Sequence, residues 1–309
     1  MIRLENRNRR KRRLARRQRA FTLVELLVTV SIIGILASAT LVGLQGARQA
    51  AQAAKTKAMI AKLDRIIMAR YERYRTRRIP ISTSGMSPKK AAEERLAAIR
   101  DLMRLEMPDR WTDTDLPLVL PVSQTRMARP ALAELYRAKF LRRREALADQ
   151  LGDQYEAEDR IGKFASAECL YMIINSGSCG EREQFKQSEI GDADADGLPE
   201  FHDGWGRPIR FLRWAPGFSD ESEIQVNDPI NNHDPFDPMQ IHPEAYHLIP
   251  LIYSAGPDGI YDLDLQGTDT AHHYDGNPYS RDIGGPGDVD GDGALNHLDN
   301  IHNHLIEAN

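Results

Sequence analysis

Ala20-Phe21-Thr22-Leu23-Val24-Glu25-Leu26-Leu27-Val28 opens an apolar run that continues to Leu44, and its reading decides how the rest of the chain folds. From Leu26 to Leu44 no side chain is charged. As helix, this stretch covers about 28 Å at roughly 1.5 Å per residue, enough to cross a bilayer core. Ahead of it, residues 1–20 hold nine Arg, one Lys and one Glu. The positive-inside rule places that end in the cytoplasm and everything after about residue 45 across the membrane. An ordinary secretory signal fits poorly, because the apolar run is too long. Glu25 is the odd residue. A lone carboxylate at membrane depth costs roughly 2–3.5 kcal/mol, so it calls for a cation.

The average composition hides this division of labour. The 309 residues carry a formal charge of only −4. Residues 191–309, however, hold 23 acids against four Arg and no Lys, together with all nine His. Hydrophobic content is 41%, much of it in Phe21–Leu44, which excludes a multipass membrane protein. Two Cys exclude a disulfide-dense scaffold and a Cys-rich zinc module. An exported compartment permits a Cys169–Cys179 disulfide, and the helical position of Cys169 leaves that pairing open.

The segment Ala20–Glu25 resembles the class III signal of type IV pilins and type II secretion pseudopilins. The resemblance implies that a prepilin peptidase cuts between Ala20 and Phe21 and that Phe21 is then N-methylated. Glu25 becomes the fifth mature residue, the position that pairs with the amino terminus of a neighbouring subunit in the filament. A new amine on Phe21 is the cation that Glu25 lacks. Ala20 stands where the family usually has Gly. Further partners implied are other pseudopilins and the inner-membrane secretion platform. The Arg-rich leader meets nucleic acid only if it is never removed, so none is expected as a partner.

Gln45–Tyr74 contains no Pro, and Ile60, Leu63, Ile67, Tyr71 and Tyr74 recur at spacings of three and four. One helix from Phe21 to Tyr74, about 81 Å long, is therefore expected, ended by Pro80. Gly34 with Ser38 and Ala39 with Gly43 are small-residue pairs that let membrane helices approach. Beyond a linker at Ser82–Ser87, helices are expected over Pro88–Met107, Pro130–Leu151 and roughly Gln154–Asn175, with a loop at Asp109–Pro121.

The acidic third holds two windows with calcium-loop spacing. Asp288, Asp290, Asp292, Gly293, Asn296 and Asp299 match an EF-hand frame, with a helix expected over Leu295–Glu307. Asp192, Asp194, Asp196, Gly197, Glu200 and Asp203 repeat the frame. Alternate acids converge oxygens on one hard ion, and exported proteins meet calcium at concentrations that fill weak sites. Between the windows, Asp203-Gly-Trp205-Gly206-Arg-Pro208 and Tyr253-Ser254-Ala-Gly256-Pro-Asp258-Gly259 resemble two strands of the major pseudopilin of type II secretion. The resemblance makes Asp258, Asp262 and Asp264 candidates for a third calcium site. Ile209–Trp214 and His247–Tyr253 fit the strands. His297, His302 and His304 read as a polar helical tail rather than a zinc or copper site.

The fold class expected is α+β: a long N-terminal α-helix, a head of helices with a small antiparallel sheet, and calcium loops. The organisation expected is a basic leader at 1–20, the pilin-type helix at 21–78 (transmembrane to about 44), a helical insertion at 79–190 and an acidic head at 191–309. The activity expected is assembly, as a subunit of a type II secretion pseudopilus. Two rivals are a type IV pilus subunit and a membrane-anchored calcium-binding module that never polymerises. No nucleophile elbow, paired acid–base spacing or phosphate loop points to an enzyme.

Overall fold

The first long helix, α1, runs over Leu23–Arg73, passing through Gly34, Gly43 and Gly46. It belongs to a computed structural model that describes residues 22–115, 119–176, 180–265, 277–280, 283–287 and 296–305. The chain divides into two units, Met1–Arg48 and Gln49–Asn309. In the first unit the large apolar side chains of Leu23–Leu44 are exposed, Leu23 to 79%. By length and composition this helix is able to cross a membrane.

In the second unit the same helix buries Met59, Ile60, Leu63, Ile67 and Tyr71, the stripe that the spacing predicts. A 3-10 turn, Tyr74–Thr76, closes it before Arg77 goes extended. Residues ahead of Pro80 are pushed out of the helical region, so the helix stops short of the proline. Arg77 then forks onto Glu106 of the next helix.

That helix, α2, spans Pro88–Glu106, and α3 spans Ala131–Leu151. The loop between them contains a 3-10 turn, Trp111–Asp115, whose Trp111 stacks on Phe140 at 4.8 Å. The single helix expected over Gln154–Asn175 is instead two: α4, Gln154–Lys163, and α5, Ala165–Asn175, broken at Phe164. Ala157 and Ile161 of α4 pack with Tyr136 and Leu147 of α3, and Cys169 and Met172 of α5 join that cluster, whereas Leu170 and Ile173 on another side of α5 belong to the main core. The break lets α5 face both clusters while α4 stays on α3. Asp153 caps α4 through its carboxylate, accepting from the Tyr155 and Glu156 amides.

Two antiparallel sheets complete the unit. Strands β1, Ile190–Gly191, and β2, Glu200–Phe201, form a pair. Strands β3, Arg210–Leu212, β4, Leu251–Ser254, and β5, Ile301–His302, lie in the order β3-β4-β5, with Phe211 opposite Ile252 and Tyr253 opposite His302. The first of these three falls within a predicted apolar run, and the second overlaps the other and extends one residue past it, to Ser254.

The third corrects the sequence reading. Across 296–305 there is no α-helix but a 3-10 turn, a strand and a second 3-10 turn. Asn303 explains it. Its carbonyl oxygen accepts from the Ile252 amide at 2.8 Å, and its amide donates to Asp64 and to the Pro250 carbonyl. A segment pinned to a strand edge gains ladder bonds that a short polar helix in water would not. His302 and His304 are consequently buried against Phe218, and His297 is buried near Glu221, rather than lying on a polar tail.

Candidate functional site

Glu25 lies in the first turn of α1, where the sequence provides its own cap. Glu25 Oε2 accepts from the Thr22 amide at 2.9 Å and from the Thr22 hydroxyl at 3.0 Å, while the Glu25 amide donates to Thr22 Oγ1 at 3.2 Å. Thr22 and Glu25 thus form a capping box, satisfying donors that a helix start leaves open. The T-x-x-E spacing carries this role in the sequence, but the charge at membrane depth draws attention first. Ala20 and Phe21, the expected cleavage pair, lie outside the described residues.

The loop between β1 and β2 holds the first calcium-like window. Asp192 Oδ1 and Asp194 Oδ1 both accept from the Asp196 amide, at 3.1 and 3.3 Å, and Asp192 Oδ2 accepts from the Gly197 amide at 2.9 Å. Asp196 Oδ1 accepts from the Leu198 amide at 2.6 Å. Gly197 has φ +86°, the left-handed turn that the frame reserves for glycine. The carboxylates of Asp192, Asp194 and Asp196 offer oxygens within 4.8 Å of one another, and so do those of Asp194, Glu200 and Glu168.

Glu168 is the residue that sequence reasoning missed. It sits on α5, in a segment without a recognisable motif, and is only 2% exposed. Its Oε2 accepts from the Trp111 indole N–H at 2.6 Å. Among the described residues its Oε1 has no hydrogen-bond partner, and the same holds for Asp194 Oδ2, Asp196 Oδ2 and Glu200 Oε1. Burial pushes Glu168 up to about 10, with the charges of Asp196, Asp194 and Glu200 adding to the rise and the Trp111 bond opposing it. Burial likewise raises Asp196 to about 7. The only sequence signal was a lone acid on the apolar face of a predicted helix.

Asp203, the last residue of that window, is placed elsewhere. Its Oδ1 accepts from the Trp205 and Arg207 amides at 2.8 and 2.9 Å, and its Oδ2 accepts from the Ser254 hydroxyl at 2.6 Å. Arg207 in turn donates to the Gly256 carbonyl at 2.6 Å. These contacts give the D-x-W-G-x-P and Y-S-x-G-x-D-G segments a structural job: the first turn is built on Asp203 and bolted to the end of β4. Gly204 is required for close approach, since a Cβ there would lie 2.1 Å from the Gln52 carbonyl oxygen of α1.

The remaining candidates divide. The Asp258 amide donates to Asp299 Oδ2 at 3.4 Å, bringing the end of the EF-hand-like window beside the loop after β4. Burial, then the Asp258 charge, raises the Asp299 carboxyl. Asp262 and Asp264 lie in the stretch whose Leu263 bridges Pro286. Among the described residues, Asp258, Asp262, Asp264 and Asp299 join no convergent group of three or more ligating side chains. Asp288, Asp290, Asp292 and Gly293 lie outside the described residues, as does Cys179. Asn296 begins a 3-10 turn, and Cys169 is fully buried in α5.

Residues 15–41 match the family described as the prokaryotic N-terminal methylation motif. Together with the long apolar helix behind it, the match supports a type IV pilin-like family for the chain. That class implies processing by a prepilin peptidase and assembly into filaments. No curated protein and no solved structure matches the chain.

Proposed function

We propose that the chain is a pilin-like subunit of a type II secretion pseudopilus, anchored in the inner membrane with its head on the periplasmic side. The observation that carries this reading is the helix start. A methylation motif leads into a run of apolar side chains that are exposed from Leu23 to Leu44, with one carboxylate, Glu25, in the first turn. Such a surface is stable only in lipid or against other helices of its kind. Cleavage before Phe21 would create the amine that neutralises Glu25 of an adjacent subunit, and low dielectric would strengthen that pair. The linked Asp203 and Ser254 segments, which resemble two strands of the major pseudopilin, favour the secretion assignment over a type IV pilus subunit. Partners in this reading are the prepilin peptidase, other pseudopilins and the inner-membrane secretion platform.

The capping box dictates the test. Glu25→Gln keeps a side chain able to serve at that position of the box but removes the charge. Glu25→Ala removes both. Filament recovery by shearing or cross-linking, scored with export of a secreted reporter, should fall for both variants while membrane insertion and processing persist. Assembly and export of Glu25→Gln at wild-type level would mean that the carboxylate only caps the helix. The anchored, non-polymerising module would then be the better reading.

A further inference from the structure

We propose that Glu168 of α5 joins Asp192, Asp194, Asp196 and Glu200 to hold one calcium ion, which ties the loop between β1 and β2 to the helical layer. Glu168, Asp196 and Glu200 are each at most 2% exposed, and each has a carboxylate oxygen with no hydrogen-bond partner among the described residues. Oxygens of Glu168, Asp194 and Glu200 converge within 4.8 Å, coming from a helix, a loop and a strand. Buried carboxylates on three elements, each with one oxygen left unpartnered, are costly to ionise together unless a cation sits among them.

Among the described residues, the nearby basic side chains do not fill that role. Arg143 Nε donates to the Asp196 backbone carbonyl rather than to a carboxylate. His202 lies 3.7 Å from Glu200 Oε2, on the oxygen already bonded to the Ala193 amide. Lys163 acts on Asp194 only as a nearby charge. The donors are all carboxylate oxygens, which suits a hard ion. Their number and their all-protein origin favour calcium over magnesium, which usually keeps several waters. The backbone bonds already made by Asp192, Asp194 and Asp196 preorganise the loop half of the site, so Glu168 supplies what the linear frame lacks once Asp203 is engaged elsewhere.

Trp111 makes the proposal testable at this site alone, because its indole donates to Glu168. Terbium bound there should be sensitised by Trp111, whereas terbium at any site near Asp299 should not depend on it. The full chain, purified in detergent and stripped with chelator, is titrated with terbium under tryptophan excitation, alongside Trp111→Phe and Glu168→Gln. Expected are a Trp111-dependent emission, its displacement by calcium but not by equimolar magnesium, and its loss in Glu168→Gln. The calcium midpoint for displacement should shift at least about tenfold with each of Asp194→Asn and Asp196→Asn, as expected when ligand charge sets affinity. Glu168→Gln retains an acceptor for Trp111 and removes a buried charge, so it should fold. Trp111→Phe opens the stack on Phe140, so a calcium-dependent rise in melting temperature, present in wild type and smaller in Glu168→Gln, gives an independent reading. No Trp111-dependent emission together with an unchanged calcium response in Glu168→Gln overturns the proposal. Equal displacement by magnesium overturns the choice of calcium.

Discussion

Without a cation, Glu168 should make the folded chain less stable as pH rises, and the size of the effect follows from its surroundings. Folded, burial and the Asp196 charge hold its carboxyl at about 10; its ordinary value is 4.5. Between those values the folded state binds one proton more than the unfolded state. Stability is therefore lost with rising pH, at about 1.4 kcal/mol per unit. From about pH 7 to about pH 8.5 Glu168 stays protonated in the fold, while Asp196, at about 7, loses its proton near the lower end and histidine, with its ordinary value of 6.5, is mostly neutral. The slope of Glu168 is therefore read as the difference from Glu168→Gln. His302 and His304, which burial pushes down to about 4, give the opposite slope, but only below that histidine value. Over the window the loss is about 2 kcal/mol, or roughly 4–8 °C in Tm for a unit of this size. Glu168→Gln, which cannot ionise, should lose this slope. Asp192, Asp194, Asp196, Glu200, His202 and Lys163 face the site in both proteins, so the difference between them belongs to Glu168. The assay is thermal or denaturant unfolding in chelator at the two pH values, repeated in saturating calcium. Bound calcium holds the carboxylates ionised in the fold, so it should flatten the wild-type slope. Identical slopes for wild type and Glu168→Gln in chelator would refute the reasoning.

Other positions give narrower tests. Gly204→Ala places a Cβ 2.1 Å from the Gln52 carbonyl oxygen, so the chain should lose about 1–3 kcal/mol in denaturant unfolding, as overpacked positions do. Asp203→Ala removes three acceptor contacts, one of them buried with Ser254. It should cost about 2–4 kcal/mol while leaving the Trp111-dependent terbium signal in place; loss of that signal would return Asp203 to the ion. Asn303→Leu strands the Ile252 amide and should cost about 1–3 kcal/mol, measured by the same unfolding assay and by faster amide exchange at Ile252. A wild-type exchange rate would mean that β5 does not depend on that side chain.

The parts of this fold that were legible in the sequence are those with a one-dimensional signature. The stripe Ile60, Leu63, Ile67 and Tyr71 specifies the buried face of α1 because helical spacing alone dictates it. Arg210–Leu212 and Leu251–Ser254 lie in short apolar runs bounded by turn residues. What was not legible depends on partners far away in the chain. The break at Phe164 lets α5 reach the main core through Leu170 and Ile173 as well as the cluster it shares with α4, and no local breaker announces it other than Gly162 two residues before. The strand at Ile301–His302 depends on Asn303 reaching Ile252 and Asp64, a choice that polar, His-rich sequence does not reveal. At the acidic site the alternating Asp spacing points to Asp192, Asp194 and Asp196, whose carboxylate oxygens lie within 4.8 Å of one another. It also nominated Asp203, whose oxygens are taken by a turn and a serine, and it gave no hint of Glu168, which arrives from α5.

If the chain is a processed pilin-like subunit, the mass of its mature form records the cut before Phe21 and the methyl group added there. Intact-protein mass spectrometry of the membrane fraction should find a chain beginning at Phe21 and one methyl group heavier than the sequence from that residue. A chain that retains its Arg-rich leader, or one that begins beyond residue 38, would contradict the account.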